Sequence, residues 1–167
     1  MEILTIESKE KEKFLRTKTK DFDFLKYSKK EIKELIAEMK ATMRLADGIG
    51  LAGNQIGLNS RVFVAEIPGN QKSRGKFYAV FNPKIIKSEG EETDFEEGCL
   101  SVPKTFGKVK RPTNVTLEGM DANGKKIKIK AWGLLARIFQ HEMDHLNGGL
   151  FIDKAKEVHK VELTEQK

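Results

Sequence analysis

The apolar positions of this chain change rhythm several times, and each change predicts an element. From Ser28 the rhythm is helical: Ile32, Leu35, Ile36, Met39 and Met43 recur three or four residues apart and form one stripe. Ser28 and Glu31 have the spacing of a capping box, in which each side chain satisfies an amide left open by the first turn. Asp47-Gly48 supplies the stop. Arg61 to Ile67 and Tyr78 to Ile86 then read as strands. Thr113 to Met120 and Lys125 to Trp132 alternate, and the turn Asp121-Ala122-Asn123-Gly124 between them predicts a hairpin. Helical spacing returns from Gly133 to Leu146 and ends at Asn147-Gly148. Residues 2–27 show neither rhythm and read as irregular and charged, with a Glu/Lys-rich patch from Glu7 to Lys13. The tail from Asp153 to Lys167 reads as a short exposed helix or strand. Strands set between helices and joined by hairpins predict an α+β fold, one domain over residues 1–167.

Composition narrows the class. Apolar residues make up 38% and charged residues 34%, which predicts a soluble protein with a heavily charged surface. No apolar run approaches the roughly 20 residues of a membrane span. The opening Met1-Glu2-Ile3-Leu4 lacks the basic start and apolar stretch of a secretory signal. The single cysteine, Cys99, excludes an intramolecular disulfide and fits a reducing compartment. The net charge of +6 is concentrated: Lys104 to Lys130 holds eight Lys or Arg against two acids. That stretch is a solvated sheet face or a surface for an acidic partner such as ribosomal RNA. No aromatic residue is interleaved in it in the manner of a nucleic-acid motif.

Candidate chemistry sits in Gln140-His141-Glu142-Met143-Asp144-His145. Two imidazoles four residues apart lie on one helix face, one turn apart, and can grip a single metal ion. Glu142 is close enough to reach a water on that metal without binding it. H-E-x-x-H in this form is a metalloprotease signature, but a catalytic site wants a third protein ligand. His159 and Glu157 lie in the polar tail, where a peptidase would place its third ligand. Cys99 lies in Glu96-Glu97-Gly98-Cys99-Leu100-Ser101-Val102-Pro103. Alone, a cysteine is a small buried apolar residue; beside such a helix, its thiolate is a strong ligand for Fe(II) or Zn(II). The segment Gly48 to Gly57 holds four glycines in ten residues, implying tight turns or close approach of a ligand.

Three separated segments together resemble the signature motifs of peptide deformylase. Gly48-Ile49-Gly50-Leu51-Ala52-Gly53-Asn54-Gln55 is similar to that family's G-x-G-L-A-x-x-Q, Glu97-Gly98-Cys99-Leu100-Ser101 to E-G-C-L-S, and Gln140 to His145 to Q-H-E-x-D-H. Order and spacing also agree, from about Ser28 to Ile152. Gly53-Asn54 departs from the family's more usual alanine followed by proline or a small residue. Since Gln55 is retained, the expectation there is altered loop flexibility with the chemistry kept. The segment before Ser28 matches the family's opening poorly.

The resemblance implies antiparallel sheets packed around a central helix that carries H-E-x-x-H. It also implies hydrolysis of the N-terminal formyl group of formylmethionine on newly made polypeptides, releasing formate. Cys99, His141 and His145 would hold one divalent metal, natively Fe(II), with Zn(II), Ni(II) or Co(II) as substitutes. The metal can bring the pKa of its water to about 7. Glu142 would act as general base and then as acid toward the leaving amine. Gln55 and the Leu100 backbone N–H would stabilise the oxyanion. Gly50 and Gly98 would flank the peptide, with Ile49, Leu134 and Ile138 around the methionine side chain. Leu134 and Ile138 read equally as core. Glu97 and Arg111 are expected to form an ion pair behind the Cys99 loop. Asp144 is a supporting hydrogen-bond partner or an exposed acid, and Arg137 faces solvent or an acid. Implied partners are N-formylmethionyl peptides and, transiently, the ribosome; the chain would be a monomer of the bacterial cytoplasm, with no membrane and no specific nucleic acid. The competing readings are a zinc peptidase and a non-catalytic relative. The latter would be expected to lack Gln55, Cys99 or Glu142, and all three are present.

Overall fold

The computed structural model describes residues 1–69 and 75–161. In chain order the elements are α1 (Lys9–Leu15), α2 (Lys29–Leu45), β1 (Gly50–Ala52), β2 (Val62–Ile67), β3 (Lys76–Cys99), β4 (Val102–Met120), β5 (Lys126–Trp132), α3 (Gly133–Leu146) and β6 (Lys156–Lys160). The strands form a six-stranded antiparallel sheet in the order β1-β2-β3-β4-β5, with β6 also paired to β4. The fold is α+β, as its periodicities predict.

Both long helices end where local chemistry dictates, and α2 also begins there. Ser28 Oγ accepts from the Glu31 amide at 3.2 Å while the Glu31 carboxylate accepts from the Ser28 amide at 2.7 Å, so the capping box forms. At its far end Asp47 takes the left-handed conformation (φ 54°), and the Gly48 amide donates to the Met43 carbonyl. The same closure ends α3: Gly148 has φ 80° and a Cβ there would lie 2.3 Å from the Arg16 carbonyl oxygen, so glycine is required twice over.

β2 explains how the core divides. Val62 and Val64 face a cluster with Ile32, Met39 and Met43 of α2, while Phe63 and Ala65 face a second with Ile138, Phe139 and Met143 of α3. A strand covered on both faces needs apolar residues at every position, which Val62-Phe63-Val64-Ala65 supplies. α3 is therefore held against the middle of the sheet, with its histidines directed to the end of β3.

Two expectations need correcting. Residues 2–27 are not wholly irregular: Ser8 caps α1, and Leu15 at its end is fully buried. The segment also braces the glycine-rich loop, since the Leu4 amide donates to the Gln55 carbonyl at 2.7 Å and the Ile6 amide to the Ser101 carbonyl at 3.0 Å. β3 and β4 also run far beyond the predicted strands, pairing from Phe81↔Met120 to Cys99↔Val102 with four register shifts. The tail contains β6; residues 162–167 lie outside the described part. Among the described residues, no helix is long and apolar enough to cross a membrane.

Candidate active site

Cys99 ends β3 at the tight Leu100-Ser101 turn, and His141 and His145 occupy successive turns of α3. The Cys99 Sγ lies 3.1 Å from His145 Nε2, the two Nε2 atoms lie 3.3 Å apart, and all three donor atoms fall within 4.8 Å of one another. Burial pushes the Cys99 thiol up, but the His145 and His141 imidazoles outweigh it and hold the thiol well below its ordinary value. Burial would lower His141, yet Cys99 and Glu97 hold it well above. Both directions favour the thiolate, which is the ligand form. His141 Nδ1 faces Glu97 Oε2 at 3.0 Å, an arrangement that fixes the ring and turns Nε2 toward the other donors. One cysteine sulfur and two imidazoles so close together fit a divalent transition-metal ion. His159 and Glu157 are not in the cluster: His159 lies 3.6 Å from Glu96, and Glu157 pairs with Lys108.

Glu142 is 2% exposed. Burial above all pushes its carboxyl up to about 7, against the lowering effect of the two imidazoles. Its Oε2 is buried with no hydrogen-bond partner among the described residues. Its other oxygen lies over Gly50, where any Cβ would approach to 2.2 Å. Gln55 is locked in one orientation, because its Oε1 accepts from the Ala52 amide at 2.8 Å. Its Nε2 donates to Ser101 Oγ at 3.1 Å and points toward Cys99 Sγ at 3.6 Å.

These groups open onto one cavity of about 600 Å³, bordered by Ile49, Gly50, Gly98, Leu100, Leu134 and Ile138 as well as Gln55, Cys99, His141 and Glu142. Every residue assigned from sequence to substrate, metal or proton transfer is thus brought together, with His145 itself buried behind the cavity wall. Leu134 is half exposed at the rim, whereas Ile138 serves both the cavity and the core.

Support for the cluster is ionic. Glu97 accepts from Arg111 Nε at 2.6 Å and Nη2 at 2.9 Å, and from Arg137 Nη1 at 2.8 Å. Arg137 also donates to the Val109 and Thr93 carbonyls, so it faces an acid and backbone and not solvent. Asp144 accepts from Arg111 at 2.8 Å and from Lys154 at 2.5 Å, a supporting role. Two further contributors are not evident from sequence. Ser101 positions the Gln55 amide, and Asn54 Nδ2 donates to both the Leu15 carbonyl at 3.0 Å and the His145 carbonyl at 2.6 Å. At Gly53-Asn54, where altered loop flexibility is expected, Asn54 makes a buried tie between α1, the loop and α3. Only the Asn54 departure from the family pattern hinted at it.

A family model described as Polypeptide deformylase matches residues 2–161. The peptide deformylase of Halothermothrix orenii is 47% identical over 125 residues, 75% of this chain and 78% of that protein. A probable peptide deformylase from Synechococcus phage S-SSM7 has a TM-score of 0.82 at 39% identity, covering 92% of this chain and 99% of that one. A Met-Ala-Ser-bound class I type b peptide deformylase from Acinetobacter baumannii has a TM-score of 0.83 at 28% identity, covering 92% and 97%. Three motifs that converge on one cavity, and a match running nearly end to end, carry one conclusion. The chain belongs to the peptide deformylase family, hydrolases that remove the formyl group from the N terminus of newly made polypeptides.

Proposed function

We propose that this chain hydrolyses N-formylmethionyl peptides with Glu142 as its proton-transfer group and with Cys99, His141 and His145 holding a ferrous ion. The observation that carries the assignment is the buried, unpartnered Glu142 carboxylate oxygen beside a thiolate and two imidazoles in the same cavity. When bound, the ion supplies Lewis acidity and makes water a nucleophile near neutral pH. Glu142 accepts the proton of the attacking water and passes it to the amine nitrogen as the carbon–nitrogen bond breaks. Formate and a free N terminus result. Negative charge developing on the formyl oxygen meets the Gln55 Nε2 and Leu100 N–H donors, and such a donor is worth roughly 3–4 kcal/mol in other enzymes. Ile49, Leu134 and Ile138 receive the methionine side chain, with Gly50 and Gly98 leaving room for the peptide backbone. Thiolate and imidazole also accept Zn(II), Ni(II) or Co(II); the ferrous assignment is supported by the usage of the family. The same reading makes the enzyme a monomer of the bacterial cytoplasm that meets its substrate in transient contact with the ribosome, where formylated N termini emerge.

Formate release from formyl-Met-Ala-Ser, with protein purified anaerobically and loaded with Fe(II), tests the whole assignment. Absence of formate from metal-loaded protein would overturn it. Glu142→Ala is expected to retain its metal and lose at least about two orders of magnitude in turnover; near-normal turnover would remove Glu142 from its role. Activity half-lives that are equal in air and under argon would count against iron, since a ferrous thiolate centre is oxygen-sensitive.

A further inference from the structure

The chain has one tryptophan, and it is 73% exposed. Trp132 ends β5, a strand of strict alternation: Ile127, Ile129 and Ala131 pack inward, and Lys126, Lys128, Lys130 and Trp132 face out. Register extends this outer face across the sheet. Lys128 opposes Glu118, which opposes Lys84; Lys130 opposes Thr116, which opposes Lys87. Directly opposed residues project to the same side. Glu118 pairs with Lys128 at 3.1 Å and Glu89 with Lys87 at 2.6 Å. Among the described residues, Lys84, Lys126 and Lys130 are in no ion pair. A depression of about 490 Å³ lies between Lys84, Lys126, Lys128 and Glu118.

Lysines on an edge strand commonly guard against strand addition, and β5 is an edge. That accounts for three of the four outward residues. It leaves the indole unexplained, because an exposed aromatic ring at the end of the row works against the same purpose.

We propose that the outer face of β3, β4 and β5 binds unpaired RNA, with lysine ammonium groups on successive phosphates and Trp132 stacked on a base. Alternate residues of a strand stand about 7 Å apart, close to the separation of phosphates along an extended single strand. A basic track ending in an aromatic platform is how single strands are held without sequence preference. The choice of RNA follows from the charge of this face and rests on the proposed contact with the ribosome.

The tryptophan is its own reporter. The metal-loaded protein is titrated with a short oligouridylate at low salt, and indole emission is followed. Saturable quenching is expected. Affinity should fall with salt at a log–log slope of about −2 if the three unpaired lysines each neutralise one phosphate. Lys126→Gln with Lys130→Gln should reduce that slope by about 1.4. Trp132→Ala, followed by anisotropy of labelled oligouridylate, should bind roughly tenfold more weakly. All variants should release formate from a formylated tripeptide at the unaltered rate, which separates this face from the cavity. Three results would overturn the proposal: no binding of labelled RNA at low salt, binding unchanged by the lysine substitutions, or preference for phosphatidylglycerol vesicles over RNA. The last would make the face a membrane-surface contact.

Discussion

A methyl group on Gly50 would lie 2.2 Å from Glu142 Oε1 and 3.1 Å from Ile138 Cγ2. Something must move, and the carboxylate is the movable partner. Gly50→Ala is therefore expected to bind metal normally while kcat falls about 100-fold, the usual cost of displacing a reacting group by an ångström. Metal content and kcat measured on one preparation check this; unchanged kcat would mean that Glu142 tolerates displacement. Glu97 illustrates the opposite dependence. Its carboxylate is buried and is held far below the ordinary range: burial raises it, and Arg111 and His141 more than compensate. Arg111→Met removes the cation that Glu97 and Asp144 share. About 3–5 kcal/mol of stability should be lost, because breaking one side of a buried pair strands the other. Urea unfolding measures it, and a loss below about 1 kcal/mol would show that Arg137 alone satisfies Glu97.

Elements differ in how far the sequence announces them, and the difference has a local physical cause. α2 is legible because cap, stripe and stop are all written within the segment, and α3 because stripe and stop are, although Trp132 at its start offers no side-chain cap. α1 is too short for periodicity to register, and one buried leucine anchors it. The outer part of β3, from Ser88 to Glu97, is exposed over most of its length and has no apolar alternation to read. Pairing with β4 makes it a strand, and pairing partners distant in sequence leave no local mark. The site divides in the same way. The proposed ligands and proton carrier stand in compact motifs, and the Glu97–Arg111 pair is expected through family resemblance. Ser101 and Asn54 act through contacts that no spacing encodes. Asn54 is the test at this scale, since its amide joins the ends of α1 and α3 across the Gln55 loop. Asn54→Ala should cost about 1–3 kcal/mol by leaving the buried Leu15 carbonyl unpaired, while the His145 carbonyl keeps the Gly148 amide as donor. It should also speed amide exchange in residues 1–19 relative to β2. Uniform acceleration across the chain would indicate global destabilisation without a local hinge.

At the scale of the whole molecule, the proposed donor set joins parts of the chain that the fold brings together from far apart: the end of β3 would supply sulfur, and α3 both imidazoles. A ligand that binds only the folded arrangement stabilises it by mass action, about 2.7 kcal/mol at a hundred times its Kd. For a chain of this size each kcal/mol moves Tm by about 2–4 °C. Saturating divalent metal should therefore raise Tm by roughly 5–10 °C over chelator-treated protein. Cys99→Ser should lose most of that increment, while Glu142→Ala keeps it, because the carboxylate lies outside the donor trio. The pair of variants separates two roles that activity alone would confuse, since both are expected to lose most of their turnover. An increment that survives Cys99→Ser would place the stabilising metal elsewhere, at His159 and the acids of the β3 arm for instance, and the thiolate would lose its place as ligand.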